Sequence, residues 1–390
     1  MPASPSLLIV PARFKTGKLY TQIATTSAGL VLGSSGDFNV TRATTATRFN
    51  SAGLIESVAS GVPRLDYYTS GGTAGCPALL VEPSAQNLAL HSRDLTNAVW
   101  SGTTVTTAKN AVGADGVASG ATTITATAAS GTVLQALSHA SQSRVFSAYI
   151  RRVTGTGAIQ LTTNGGTNWT TVTISSLYTQ VACAAQTVAS GTIGIRLAVS
   201  GDVIEVDFTQ GEVGPVATSP IPTTTAPITR NADVITLSGA VSGCIGQTEG
   251  TIYAEVDLRA SASSSARRIV NMRVDGSNLL SLEIPTAGTS VEFSAVSGGS
   301  SVTATASGIT TGIYKIAVGY NSAASGTVLY VNGTLRDTKT IAIPNLSAAV
   351  LGLGVRGDGG AGTQFNDRIR AVALYTTRLT NAELQSLTTL

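Results

Sequence analysis

Catalysis or ligand binding needs acids, bases, nucleophiles or aromatic faces at workable spacings, and this chain offers few. Two carboxylate pairs stand two residues apart, Glu205 with Asp207 and Glu255 with Asp257. Each pair lies in an alternating, strand-like run, so its members share a face roughly 6–7 Å apart. That is near the separation that glycoside hydrolases use. The solvent face of an ordinary sheet has the same pattern. A hydrolase cleft adds aromatic platforms and further polar groups, which neither run clearly supplies. No catalytic residue is therefore assigned, and the chain is expected not to be an enzyme. His91 and His139 are the only histidines. His91 lies in a linker-like stretch and His139 in a Ser/Gln-rich loop with no acidic residue nearby, so neither supports a Ser-His-Asp device. Cys76, Cys183 and Cys244 are far apart and match no Cys-x-x-Cys spacing, which points to free thiols. Asp358, alone in Arg356-Gly357-Asp358-Gly359-Gly360, reads as a turn residue, because a calcium site needs several oxygens. No metal or cofactor is expected.

Sugar recognition makes a different demand, an aromatic face flanked by hydrogen-bonding groups. Trp169, beside Asn164 and Asn168 at a loop–strand corner, is the candidate, and Tyr149 and Tyr178 could join it. The alternative places the Trp169 ring as a plug at one end of a sandwich core.

The elements that must carry these residues follow from composition and period. The chain has 390 residues, 43% hydrophobic but only 5% aromatic and 12% charged, with 42 glycines. At this length two or three domains are expected. An average domain is roughly a quarter charged, and here Thr, Ser, Ala and Gly fill the deficit, as in strands and tight turns. Net charge is +3 and the pI near 8.8. Lys and Arg are scattered singly except for Arg151-Arg152 and Arg267-Arg268, which excludes the basic stripe of a nucleic-acid binder. Mean hydropathy is +0.25, yet no run approaches the roughly 18 apolar residues of a membrane span, so no membrane insertion is expected. The start, with Pro11 soon after Leu7-Leu8-Ile9-Val10 and no basic residue before it, does not read as a signal peptide.

Residues 1–40 read as an arm too apolar for a solvated tail. It must lie on another part of the chain, on a neighbouring subunit or on something larger. Residues 41–100 read as a compact, loop-rich module, because Pro63, Pro77 and Pro83 forbid continuous helix and short extended pieces fall at Leu65-Asp66-Tyr67 and Ala78-Leu79-Leu80-Val81. Residues 101–222 show short strands every 8–12 residues, the spacing of a β-sandwich. Asn164-Gly165-Gly166 forms a hairpin turn there, and Ile204, Val206 and Phe208 alternate with Glu205 and Asp207. Pro220, Pro222 and Pro227 predict a stiff linker, placed at 223–230. A second sandwich spans 231–390. Ile252, Ala254, Val256 and Leu258 form one face of a strand, Asn332-Gly333 a hairpin turn, Ile369 to Tyr375 a central strand, and Thr380-Asn381-Ala382-Glu383 the capping box of a short helix.

Certain motifs stand in a fixed order. They are Thr41-Arg42-Ala43-Thr44-x-Ala46-Thr47, Gly53-Leu54-Ile55, Pro63-Arg64-Leu65-Asp66-Tyr67, Leu80-Val81-Glu82-Pro83 with Asn87-Leu88, and Leu95-Thr96-Asn97-Ala98-Val99-Trp100. This series resembles the N-terminal region of tailed-bacteriophage and prophage structural proteins known as tail fibre, head fibre or spike proteins. The closing strand near Ile204 and the exit Ala217-Thr218-Ser219-Pro220-Ile221-Pro222 resemble their carbohydrate-binding-module-like jelly rolls. Gly250-Thr251-Ile252-Tyr253, Tyr330-Val331-Asn332-Gly333 and Arg370 to Tyr375 resemble the laminin-G/concanavalin-like family. One departure is Ser84-Ala85-Gln86, standing where an Arg often occurs in the family.

The expectation is an all-β protein, a loop-rich docking module followed by two antiparallel β-sandwiches, a jelly roll and then a concanavalin/laminin-G-like domain. The resemblance implies a virion structural protein, a fibre, spike or decoration element of head or tail. It implies docking on other capsid or tail proteins, homotrimer formation, assembly in the bacterial host cytoplasm and possible attachment to a host-surface polysaccharide. The alternatives are a polysaccharide-degrading spike enzyme and a purely structural capsid decoration.

Overall fold

Alternation of apolar and polar residues along short runs makes strands, and burying the apolar faces forces those strands into layers. In a computed structural model that describes residues 4–25, 29–32, 37–68, 75–238, 243–259 and 265–390, the chain is nearly all β. It forms two sandwiches of antiparallel sheets with one short helix among the described residues. No helix among them is long and apolar enough to cross a membrane.

The first sandwich packs a five-stranded sheet on a six-stranded one among the described residues. The larger sheet is centred on Val203–Val213, which pairs with both Ala121–Ala126 and Gln142–Thr154. Phe146, Ala148, Ile150, Ile195, Leu197, Ile204 and Val206 fill the space between the sheets. The second sandwich packs a ten-stranded on a nine-stranded sheet. Its centre is Asp367–Tyr375, flanked on one side by Glu249–Leu258. The expected inward face, Ile252, Ala254, Val256 and Leu258, is buried in the core. The Asn332-Gly333 turn adopts positive φ at both residues, 48° and 75°, as a tight hairpin requires. Thr380 and Glu383 close a capping box on the helix Asn381–Thr388, which covers Tyr253, Tyr330 and Tyr375 on the outer face of the ten-stranded sheet.

Strand pairing divides the chain differently from the sequence boundaries. The arm is part of the last sandwich: Leu7–Ile9 pairs with Asp367–Tyr375, and Phe38–Thr41 pairs with Val234–Leu237. Leu7, Ile9, Leu19, Phe38 and Val40 enter its core, which is why this segment is too apolar for solvent. The 33–36 segment lies outside the described residues. The 41–100 stretch is not one module either. Ala46–Phe49 and Ile55–Val58 form a separate hairpin. Arg64–Asp66 and Ala78–Val81 extend the ten-stranded sheet, the latter pairing with the N-terminal end of Asp367–Tyr375. Ala89, Leu95 and Trp100 belong to the jelly-roll core. The linker is pinned as well: Ile228–Arg230 pairs with Ala85–Asn87, and the Asn87 side-chain amide donates to the Thr209 and Ile221 carbonyls at 2.9 and 2.8 Å.

These segments converge on buried charges. Arg64 Nη1 donates to Glu82 at 2.5 Å, and its other arm bonds Asp233. Arg230 Nη1 reaches the same Glu82 at 2.9 Å, and Arg42 Nη1 bonds Asp233 at 2.8 Å. Ser219 donates both its backbone N–H and its hydroxyl to Glu82. All five charged side chains are at most 5% exposed. Burial alone raises the Glu82 carboxyl, but Arg230, Arg64 and Ser219 outweigh it and hold Glu82 well below the usual carboxylate range. Beside this hub Thr218 Oγ1 accepts from Arg230 and donates to Glu212. Burial pushes the Glu212 carboxyl up to about 7, against its bonds from Thr218 and the field of Arg230.

Removing one member of such a buried network leaves its partners uncompensated, which costs about 3–5 kcal/mol. Arg64→Leu should therefore lower the urea midpoint by that equivalent, with the slope of the transition unchanged. Glu212 sets a pH dependence. Its folded-state pKa is raised, so its stabilising contribution is complete below the unfolded carboxylate value and is lost as pH rises through about 7. Thermal melts from about pH 5 to about pH 8 should fall more steeply for the native protein than for Glu212→Gln.

Candidate functional site

On the outer face of the five-stranded sheet, cross-strand register lines up polar side chains. Thr132 pairs with Arg196, Arg196 with Gln160 and Gln160 with Thr171, while the residues alternating with them, Val133, Ile195, Ile159 and Leu161, point into the core. Thr103, opposite Thr132, extends the row. Arg196 Nε donates to Gln160 Oε1 at 2.7 Å and Gln160 Nε2 donates to Thr171 at 3.1 Å, so the row is a bonded ladder.

Trp169 closes one end of this row, immediately before the edge strand Thr170–Val172. It does not plug the core: it is half-buried, and the Arg196 guanidinium lies 4.6 Å from its ring centroid. The loop beneath is built on Thr162, whose hydroxyl accepts from the Asn164 and Gly166 amides at 3.2 and 3.0 Å. Asn164 Oδ1 accepts from the Asn168 amide at 2.9 Å, so Asn164 shapes the turn and leaves Asn168 exposed beside the indole. Gly166 has φ +93°, and a Cβ there would stand 2.9 Å from Trp169 Cζ2. Only glycine meets both conditions.

Tyr149 and Tyr178 are not in this group. Both sit on the outer side of the other sheet. Tyr149 packs with Ile55, Ala114 and Phe208 in a small cluster joined by Phe49 and Tyr178. Tyr178 donates to the Val112 carbonyl at 2.9 Å, with Arg151 stacked 4.6 Å from its centroid. Of the five proposed residues, the structure thus keeps Trp169, Asn164 and Asn168 together and separates the tyrosines. It adds Arg196, Gln160 and Thr171. The alternation of Arg196 with Ile195 and Leu197 is a local signal for an outward side chain, but nothing in the sequence pairs it with Gln160.

Three of the four paired carboxylates are committed elsewhere. Asp207 is fully buried and takes a fork from Arg93 at 2.8 and 2.9 Å, together with the Ala114 and Phe208 amides. Phe208 follows at φ 45°, where the register shifts by one residue. Glu205 bonds Arg151, and Glu255 accepts from Arg370 at 2.7 Å. His139 accepts from the Gly191 amide at 3.2 Å. Asp358 accepts from Arg356 and from the Gly360 amide at 2.6 and 3.0 Å, the bonding of a turn residue. No group of three or more His, Cys, Asp or Glu side chains that could hold a metal occurs among the described residues.

Residues 229–385 match the family described as the Concanavalin A-like lectin/glucanases superfamily. No curated protein matches the chain. Among solved structures, the CBM40 module of the Ruminococcus gnavus IT-sialidase is 19% identical with a TM-score of 0.32, covering 37% of this chain and 85% of that one. The same module bound to α2,6-sialyllactose is 18% identical with a TM-score of 0.33, covering 38% and 90%. The botulinum neurotoxin serotype D binding domain is 14% identical with a TM-score of 0.31, covering 40% of each.

If Arg196 holds the indole in place, Arg196→Ala should leave the fold intact. It would remove an interaction of about 0.5–1 kcal/mol at a partly exposed site. Trp100 is buried, so a red shift and stronger acrylamide quenching of tryptophan emission would report Trp169 alone.

Proposed function

We propose that this chain is a virion structural protein of a tailed bacteriophage that presents a glycan-binding face, the outer surface of the five-stranded jelly-roll sheet ending at Trp169. The observation that carries the binding part is the bonded ladder of Thr171, Gln160 and Arg196 beside a half-buried indole. It combines an apolar ring edge with fixed donors and acceptors, the pairing that polyhydroxylated ligands require. The lectin-type family of residues 229–385 agrees with a carbohydrate-directed role for the second sandwich.

The virion part rests on the motif series of residues 41–100. Three of its four charged members, Arg42, Arg64 and Glu82, belong to the buried hub, so in this reading the series maintains a junction rather than a docking surface. Capsid or tail partners, a trimeric state and assembly in the bacterial cytoplasm belong to the same proposal. The role is binding rather than hydrolysis, since Glu205, Asp207 and Glu255 each bond an arginine.

Trp169→Ala should abolish binding on an array of bacterial surface polysaccharides while leaving the melting temperature nearly unchanged. Retained binding would remove the face from consideration. Gold labelling at the exposed Cys76 should mark a fixed position on purified particles, and its absence from every particle would end the virion reading. Deleting the first 88 residues is unsuitable for this purpose, because it removes Leu7, Ile9, Leu79 and Arg64 from the folded body.

A further inference from the structure

A cavity of about 260 Å³ lies where the two sandwiches and the Ala46–Phe49 hairpin meet. Each unit contributes to its wall: Tyr149 and Gln180 from the jelly roll, Arg48 from the hairpin, and Arg259 and Asn366 from the second sandwich. The half-exposed loop residues Pro215, Val216 and Ala217 form its lip.

The carboxylates around the cavity are already occupied. Asp66 accepts from Arg368 at 3.0 Å and from the Tyr68 and Phe49 amides. Glu82 is held by Arg64, Arg230 and Ser219, and Asp367 by Arg267 and the Arg259 amide. The groups left over are mostly donors. Arg259 makes no ion pair among the described residues; it stacks 4.2 Å from the Tyr68 centroid, and its one side-chain hydrogen bond is a long one, 3.4 Å, to Gln180. Arg48 uses only Nε, on Glu56. The Asn366 side chain has no hydrogen-bond partner among the described residues, and its backbone stands at φ 57°. Tyr149 is the most telling. It is 3% exposed, its hydroxyl has no partner among the described residues, and the charges that act on that hydroxyl are Arg259, Asp66, Arg368 and Glu82, which border the cavity or stack beside it. Burial pushes the phenol upward, so the group stays a neutral donor and acceptor.

An unpartnered hydroxyl on a cavity wall is open to a ligand, and two guanidiniums with unused N–H groups favour a carboxylate, which arginine binds bidentately. The volume lies just below the roughly 300 Å³ at which ligand sites for small molecules begin, suited to one sugar ring and not to a polymer. From this arrangement we propose that the junction cavity binds a hydroxylated carboxylate of monosaccharide size, of the uronic-acid class. Arg259 and Arg48 face its carboxylate, and Tyr149 and Asn366 face its hydroxyls. The site shares no residue with the Trp169 face and does not depend on the glycan role proposed for it. Because its walls come from three units, an occupant also clamps them together.

The test uses the full chain, with thermal-shift and calorimetric titration of glucuronate and galacturonate at millimolar concentration, and with glucose and acetate as controls. At least one uronate should raise the melting temperature, as any ligand that binds only the folded state must, and glucose should not. Arg259→Gln should weaken the affinity by on the order of tenfold or more. Tyr149→Phe keeps the packing and should weaken it severalfold. The proposal is overturned if neither uronate binds, if glucose binds equally well, if acetate binds as tightly as the uronates, or if both variants bind like the native protein. The glycan array on Trp169→Ala is a separate measurement, so failure of either site leaves the other standing.

Discussion

The guanidinium of Arg64, held between Glu82 and Asp233 with almost no contact with water, is the constraint on which the remaining architecture depends. Apolar burial is indifferent to direction: it makes the jelly roll, the hairpin and the second sandwich adhere, but in many relative poses. A buried charge tolerates few poses, because each misplaced partner leaves an uncompensated ion in a low-dielectric interior. The residues at positions 42, 64, 82, 230 and 233 bond one another, with Ser219 on the exit of the jelly roll as a further donor. The hydrophobic core decides that these parts meet, and the hub decides how.

The jelly roll uses its two outer faces differently as a result. The six-stranded sheet turns Tyr149 and Phe208 toward the Ala46–Phe49 and Ile55–Val58 hairpin. Asp207 serves that junction by accepting directly from the Ala114 amide, and it also accepts from Arg93. The five-stranded sheet keeps its polar ladder free. In the jelly roll, carboxylates thus occupy one face and the tryptophan the other, and Glu205 and Asp207 each bond an arginine.

Much of this was legible in the sequence, and the limits have physical causes. Period-two alternation found the strand face of Glu249–Leu258 and, in Val203–Val213, Ile204 and Val206 but not Phe208, which the register shift turns outward beside Tyr149; turn chemistry found Asn332-Gly333 and the Thr380 capping box, because these signals are local. The motif series was recognisable as special, yet its purpose was not. Arg64 and Asp233 are 169 residues apart, and spacing along the chain carries no trace of a salt bridge that long. The domain boundaries slipped for the same reason: Leu7–Ile9 looks like any short apolar strand, and nothing in it names a partner near position 373. Tyr149 lies on a strand and Trp169 immediately before one, in the same sandwich. Only the assignment of each strand to its sheet separates them.

Asp367–Tyr375 receives Leu7–Ile9 and Ala78–Val81 along a single edge. On the ribosome, therefore, Leu7–Ile9 and Ala78–Val81 wait for this partner until Asp367–Tyr375 has been made. The jelly roll, whose pairings lie within about a hundred residues of sequence, can close while synthesis continues. The second sandwich cannot, and its loop-closure entropy is met only once Asp367–Tyr375 has been made. Until then Leu7, Ile9, Leu79 and Val81 present unpaired, apolar edges of the kind that recruit other chains. A protein built this way has its slow and vulnerable step at Asp367–Tyr375, so a chain that stops before residue 367 lacks the strand to which both earlier segments are joined.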